Sequence, residues 1–250
     1  MEHEVCQWLR ASDSVTVLTG AGISTDSGIP DFRGPQGLWT RDPQAQRMFT
    51  LQAYLDDPQV RVRAWRSRRD HPAWAAIPNA GHRALVDLER CGRLRAIVTQ
   101  NIDELHQRAG SSADLVIEVH GTVFWAECLT CEIRTPMPEV LARVVAGEAD
   151  PACLACGGVQ KSATISFGQP LRPDVFETAY RAVLGCGLLL VAGSSLQVQP
   201  AASLCQVAAD NGARLVILNA EPTPYDDMAD AVLREPIGEV LPRVVAAAAA

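Results

Sequence analysis

Four cysteines, a glycine-rich turn and a few polar residues at strand ends carry the chemistry legible in this chain. Cys128-Leu129-Thr130-Cys131 and Cys153-Leu154-Ala155-Cys156 form two Cys-x-x-Cys knuckles separated by residues 132–152. Two such knuckles offer four thiolates at tetrahedral geometry, the donor set of a structural zinc ion with no position left for a substrate. Two redox pairs or two disulfides are the alternatives. A cytosolic chain disfavours disulfides, and neither pair lies at a strand–helix junction of the thioredoxin kind. Cys6, Cys91, Cys186 and Cys205 are scattered and read as buried packing residues.

The run Gly20-Ala21-Gly22-Ile23-Ser24-Thr25-Asp26-Ser27-Gly28 follows Val15–Thr19, a β-branched stretch that reads as a buried strand. A strand that breaks into small residues and then opens a helix brings the backbone close to a pyrophosphate. A tight structural turn is the competing reading. The spacing Gly-x-Gly-x-x-Thr departs from the dehydrogenase fingerprint at Thr25, and no acidic residue ends a second strand at the usual distance, which disfavours hydride transfer. Asp31, Phe32 and Arg33 then follow on a loop bounded by Gly28, Pro30 and Gly34, a mobile element with reactive side chains. Further polar residues stand at strand ends, where open α/β sheets bind ligands. Gln100, Asn101 and Asp103 follow Leu94–Thr99, with a helix N-cap as the alternative role. His120 follows residues 114–119 and suits a general base near neutral pH, against a structural histidine. Gly193-Ser194-Ser195 and Asn219 end two later strands and suit phosphate or ribose hydroxyls, against ordinary turn chemistry. His106 lies in a helical stretch and reads equally as structural; His3, His71 and His82 carry no signal.

These residues need a frame, and the hydrophobic pattern supplies one. The 250 residues suffice for a full α/β core or for a large domain with a smaller insert. Strand-like stretches at 15–19, 94–99 and 114–119 and continuous apolar runs at 188–192 and 215–218 alternate with helical stretches, the pattern of a parallel sheet covered on both faces. Residues 164–167 are a further strand candidate. Asn79 opens one helix, residues 236–245 form another, and the five terminal alanines are expected to fray. Residues 40–78 and 121–161 break the rhythm and join as a small second domain. In the first of these, Arg61, Arg63, Arg66, Arg68 and Arg69 read as a solvated helix face. A net charge of −7 argues against nucleic-acid partners. No apolar run has the length of a membrane span and no signal sequence follows Met1, so a soluble, cytoplasmic chain is expected.

In order along the chain, GAGISTDSGIPDFRG, TQNID with LHQRAG, His120-Gly121, the four cysteines, GSSLQVQPA and LNAEPTPYDDMAD closely resemble the sirtuins, the NAD-dependent protein deacylases. The resemblance runs from Gly20 to Asp230. It implies a Rossmann-like domain at 1–40, 79–121 and 162–250, and a small domain of a helical module and a zinc ribbon at 41–78 and 122–161. NAD+ and an acyl-lysine peptide would enter the cleft between them. Gly20, Ala21, Gly22 and Ser24 would line pyrophosphate and ribose; Asp31, Phe32 and Arg33 would form the cofactor loop, with Phe32 shielding the reactive carbon. Gln100, Asn101, Ile102 and Asp103 would hold the nicotinamide side, and Gly193, Ser194, Ser195, Asn219, Ala220, Glu221 and Ile237 the adenosine half. Asn101 and His120 would be catalytic, and Cys128, Cys131, Cys153 and Cys156 would hold one structural zinc.

The chemistry implied by the resemblance is attack of the acyl oxygen on the ribose carbon, loss of nicotinamide and formation of an alkylamidate. His120 then deprotonates a ribose hydroxyl, and water completes the conversion to free lysine and 2′-O-acyl-ADP-ribose. Substrate contacts would fall on Ile165, Phe167 and Gly168, and on Trp65 and Arg68. The last two stand near the Tyr-x-x-Arg pair of sirtuins that prefer succinyl or malonyl groups, with the phenol missing. Gln169 replaces the family's usual Glu after Phe-Gly, and Lys161-Ser162 replaces an Arg-Pro, which bears on peptide preference. Mono-ADP-ribosyl transfer and a preference for succinyl or longer acyl groups are the alternatives to deacetylation. No membrane partner is expected, and the chain is expected to be a monomer or weak oligomer.

Overall fold

The computed structural model describes residues 1–249. Its frame is a six-stranded sheet in the order β3-β2-β1-β7-β8-β9, parallel throughout. The strands are β1 (Val15–Thr19), β2 (Leu94–Thr99), β3 (Val116–Glu118), β7 (Leu188–Ala192), β8 (Arg214–Leu218) and β9 (Ala231–Leu233). Every residue of β1 and β7 is buried, because helices cover both faces and leave no side of these strands to water. On one face Val17, Leu190 and Val216 pack against α1 (Glu2–Ala11), α5 (Ala80–Arg90) and α10 (Ile237–Ala249). On the other, Leu18, Val191 and Ile217 pack against α8 (Pro173–Leu184) and α9 (Leu204–Asp210). The chain winds outward through β2 and β3 on one side of β1, and through β8 and β9 on the other side of β7. The β1/β7 boundary is therefore the topological switch point, where the crevice beyond the strand ends is open to a ligand.

The excursions from the sheet pack together. The first holds α2 (Leu38–Arg41), α3 (Leu51–Asp56) and α4 (Pro58–Arg69). The second is an antiparallel sheet, β5-β4-β6, made of β4 (Gly121–Cys128), β5 (Arg134–Pro136) and β6 (Gln160–Thr164), with α7 (Met137–Val145). Trp65 of α4 is buried with Ala126 of β4 and with Met137, Val140 and Val144 of α7 in a shared core. Arg61 adds an ion pair to Asp150 at 2.7 Å, and the Tyr54 hydroxyl donates to the Gln160 carbonyl at 2.8 Å. A short helix, α6 (Leu105–Ala109), follows β2.

Several expectations need correction. The strand expected at 164–167 ends at Thr164 and belongs to the small antiparallel sheet; residues 165–167 continue as an extended segment joined to Thr50 by a single bridge. The glycine-rich run opens a 3-10 turn, Ala21–Ser27, and no α-helix. The terminal alanines continue α10 to Ala249, with Ala248 buried against the core; Ala250 lies outside the described residues. Cys91 is exposed and Cys6 half-buried, whereas Cys186 and Cys205 are buried as expected. Arg63, Arg66 and Arg69 do form an exposed face, but Arg68 is only 8% exposed and Arg61 is largely buried in its ion pair with Asp150. None of the described helices is long and apolar enough to cross a membrane.

The four knuckle cysteines converge, with all four Sγ atoms within 4.8 Å of one another. Cys128 and Cys156 lie at 3.5 Å and Cys131 and Cys153 at 3.7 Å. A disulfide requires about 2.05 Å, whereas Zn–S bonds of about 2.3 Å at tetrahedral angles place sulfurs about 3.8 Å apart. The spacing and the all-thiolate donor set fit zinc, which would tie β4 to the loop before β6. Cys128→Ser or Cys153→Ser is expected to release zinc and to lower the melting temperature by roughly 10 °C or more. Metal analysis with calorimetry checks this; a metal-free chain that melts at the wild-type temperature contradicts it.

Candidate functional site

A cavity of about 900 Å³ occupies the switch point. Its floor is made where two strand-end turns meet. The Gly22 amide donates to the Gly193 carbonyl at 2.8 Å, and the Gly20 amide to the Ala192 carbonyl at 3.1 Å. A Cβ on Gly20 would stand 2.6 Å from the Gly193 oxygen. Gly193 has φ of 71°, and a Cβ there would meet the Ile23 nitrogen at 2.3 Å. The glycines are thus required by backbone-to-backbone contact before any ligand is considered.

The turn after β2 is locked to this floor by buried hydrogen bonds. Gln100 Nε2 donates to Ser194 Oγ at 2.9 Å, and the Leu196 amide also donates to it. Ser194 Oγ thereby keeps its own hydrogen for a ligand. Asn101 Nδ2 donates to the Gly20 carbonyl at 3.1 Å and to Ser24 Oγ at 3.2 Å, which leaves Oδ1 for the cavity. Ser24 in turn donates to Asp103 Oδ2 at 2.8 Å, while Asp103 Oδ1 caps the Leu105 amide. Asp103 thus satisfies an amide at the start of α6 and also lines the cavity. Burial raises the Asp103 pKa, and the Leu105 and Ser24 hydrogen bonds oppose the rise. Behind them Thr19 gives its hydroxyl hydrogen to Thr99, so His106 Nε2, 3.0 Å from Thr19, is the donor there. Burial pushes His106 down to about 3, consistent with a neutral structural ring.

His120 stands at the mouth of this arrangement. Its Nδ1 lies 3.1 Å from the Gln100 carbonyl, an acceptor, so Nδ1 carries the proton and Nε2 is left free toward the cavity. Burial lowers its pKa, with the Gln100 contact opposing, so the ring is neutral at physiological pH. Gly121 allows the chain to turn directly after it: φ is 71°, and a Cβ would lie 2.1 Å from the Ala163 oxygen. The Ile165 amide donates to the His120 carbonyl at 2.8 Å, which hangs the 165–168 segment from the same turn.

The remaining wall is aromatic and cationic. Phe32 packs on Trp39 and Phe49 with ring centroids 5.0 and 5.7 Å apart, and Asp31 holds its loop by accepting from the Gly34 amide. Arg68 donates from Nε to Ser162 Oγ at 3.1 Å and lies 5.6 Å from the Phe49 centroid. Burial lowers its pKa to about 10, so it remains charged at neutral pH, and among the described residues no carboxylate pairs with it. Lys161, lowered to about 8 chiefly by burial and then by Arg68, turns its ammonium onto the carbonyls of Ser162 and Thr164.

The cavity wall includes Gly20, Ala21, Gly22, Ser24, Asp31, Phe32 and Arg33, and also Gln100 through Asp103, His120, Ile165, Phe167, Gly168 and Arg68. Gly193, Ser194, Ser195, Asn219 and Glu221 line its far end. Three residues expected there are not in the wall: Ala220, Ile237, which packs against the sheet core, and Trp65, whose ring fills the small core. Trp39, Phe49 and His71 line the cavity and carried no readable signal, since they lie in segments without periodicity; residues 197–200, within GSSLQVQPA, line it as well. His82, also unread, is buried; its Nδ1 accepts from the Asn79 amide while Asn79 Oδ1 accepts from Gly81, closing the start of α5.

The family model described as "Sir2 family" matches residues 20–200. A relative named NAD-dependent protein deacetylase 2, from Streptomyces coelicolor, is 54% identical over 231 residues, covering 92% of this chain and 96% of the relative. A solved Sir2 structure with a deacetylated p53 peptide and 3′-O-acetyl-ADP-ribose is 36% identical with a TM-score of 0.89, covering 98% of this chain and 97% of that one. Another, a Sir2–p53 peptide–NAD+ complex, is 35% identical with a TM-score of 0.87 and covers 98% of each chain. With strand order, crevice and four-cysteine cluster all in agreement, the chain belongs to the Sir2 family, the sirtuins.

Proposed function

We propose that this chain is an NAD-dependent protein-lysine deacylase, acting first of all as a deacetylase, which releases nicotinamide and transfers the acyl group to ADP-ribose. The observation that carries the reading is His120 Nε2, an unprotonated nitrogen held toward the crevice by the Gln100 carbonyl and joined through its own carbonyl to Ile165. One turn thereby serves both a nucleotide floor and a peptide segment.

The donor set fits a dinucleotide. Ser194 Oγ–H and the small turns suit phosphate and ribose oxygens, and Asn101 Oδ1 with the buried Asp103 carboxylate suits a carboxamide and developing positive charge. Bound NAD+ supplies an electrophilic ribose carbon with nicotinamide as leaving group. Phe32, packed on Trp39 and Phe49, excludes water from that side of the crevice. His120 Nε2 takes a proton from a ribose hydroxyl, and its neutral ring at physiological pH is the form that can do so. The acyl-lysine chain would run along Ile165, Phe167 and Gly168. The backbone pairing of Phe167 with Phe49 and Leu51, at 2.7 and 2.9 Å, supports this path by fixing the segment as a strand edge. Action as a monomer or weak oligomer in the cytoplasm belongs to the same reading.

A preference for acidic acyl groups is a second reading, favoured by Arg68, a buried cation in the cavity wall whose one side-chain hydrogen bond is to a neutral hydroxyl. A desolvated guanidinium of this kind gains most from a carboxylate. Trp65 contributes nothing to such a site, because its ring points into the small core.

Mass spectrometry of NAD+ turnover with acetyl- and succinyl-lysine peptides tests both readings. Matched yields of free lysine and O-acyl-ADP-ribose are expected, with a loss of at least about 100-fold in His120→Ala. ADP-ribose appearing on protein in place of deacylated peptide would move the activity to transfer. For the second reading, Arg68→Met should cost at least about tenfold in kcat/KM for the succinyl peptide and under about threefold for the acetyl peptide. Equal losses on both peptides would reduce Arg68 to a structural cation.

A further inference from the structure

We propose that Trp39 couples the two substrates, so that the acyl peptide and the nucleotide each bind more tightly when the other is present; this rests on the deacylase reading above. The cofactor loop is fastened to α2 by backbone. The Leu38 amide donates to the Asp31 carbonyl at 2.8 Å, the Trp39 amide to the Phe32 carbonyl at 3.0 Å, and Thr40 Oγ1 to the Gly34 carbonyl at 3.0 Å. The indole of Trp39 then reaches both substrate elements. On the nucleotide side it meets the Phe32 ring at 5.0 Å and lies 4.4 Å from the Arg33 guanidinium carbon. On the peptide side it meets Phe167 at 5.5 Å, tilted by 55°. Among the described rings, it is the one that stacks on both Phe32 and Phe167.

Trp39 also lines the cavity itself, and its Nε1–H is buried without an acceptor in the protein. An orphaned buried donor is costly, so the cluster is held at a penalty that a bound acceptor relieves. Movement of Phe167 as a peptide seats, or of Phe32 as a nucleotide seats, repacks the same indole. A ring shared by two binding elements transmits the position of one to the other, and linkage makes the effect equal in both directions.

The test is calorimetric titration of ADP-ribose, which does not react, in the absence and presence of a saturating acetyl-lysine peptide. Wild-type protein is expected to bind ADP-ribose at least about fivefold more tightly with peptide. In Trp39→Leu the ratio should fall below about twofold. Trp39→Phe keeps an aromatic bridge without the N–H and should fall between them. A general loosening of the loop would weaken ADP-ribose binding with and without peptide alike and leave the ratio unchanged, so the ratio separates coupling from mere support. Binding of ADP-ribose to Trp39→Leu alone confirms that the variant is folded; should it not bind, the ratios of wild type and Trp39→Phe decide the question. Equal ratios in wild type and variants would overturn the proposal, as would a wild-type ratio of one. A wild-type chain that binds no ADP-ribose would overturn the deacylase reading, and the coupling with it.

Discussion

Contact between the turn after β1 and the turn after β7 is the constraint on which the site depends. Gly22 and Gly193 meet backbone to backbone, and a side-chain carbon at either would collide with main-chain atoms that have nowhere to move. That contact sets the floor of the crevice. Asn101 is hydrogen-bonded to the floor at the Gly20 carbonyl, Gln100 is bonded to Ser194 across it, and the Gln100 carbonyl then fixes the tautomer of His120. Catalytic geometry is therefore inherited from sheet topology through a short series of hydrogen bonds, with the parallel pairing of β1 to both β2 and β7 underneath it.

Burial makes this series strict. Ser24, Thr19, Thr99, Asn101 and Asp103 are all buried, where a polar group left unpaired costs free energy comparable to a lost hydrogen bond or more. Their mutual bonding uses nearly every donor and leaves a few atoms over, notably Asn101 Oδ1, the Ser194 hydroxyl hydrogen and His120 Nε2. These leftover atoms face the crevice. The same reasoning singles out Trp39, whose Nε1–H is buried without an acceptor in the cavity wall, and beside it Arg68, a buried cation of that wall that no carboxylate pairs among the described residues.

Much of this was legible in the sequence because the central strands are buried on both faces and read as short apolar and β-branched stretches, interrupted in β2 by the exposed Arg95. Val15–Thr19, Leu94–Thr99 and Leu188–Ala192 stand where their composition put them, and the polar residues after them face one crevice because parallel strands end on one side. The small antiparallel sheet was not legible. Its β4 has only the short apolar stretch Val123–Ala126, with Trp125 and Glu127 turned outward, and β6, with Gln160, Lys161 and Ser162, shows no apolar run. Cross-strand pairing with β5 and β6, which no local signal encodes, makes β4 a strand. Arg68 was misread for a related reason. Its neighbours Arg63, Arg66 and Arg69 are solvated, and contacts from outside α4 cover the other two, Asp150 pairing with Arg61 and β6 packing over Arg68. Trp39 and Phe49 gave no periodic signal, since their roles are fixed by contacts between separate loops.

The acid limb of kcat/KM against pH for NAD-dependent deacylation tests the central claim most directly, because it reports the free enzyme's essential base. As the proposed base, His120 would act in its unprotonated form, and burial lowers its pKa from the ordinary 6.5, so activity should hold as pH falls and be lost only below 6.5. Glu118, pushed up to about 7 by burial and by the nearby Glu104 and Asp103 carboxylates, also titrates in this range, and Glu118→Gln separates it from His120. The structure predicts a limb with its midpoint below 6.5 that persists in Glu118→Gln. A midpoint above 7, or a limb that disappears when Glu118 is neutralised, would contradict the assignment of His120 as the base.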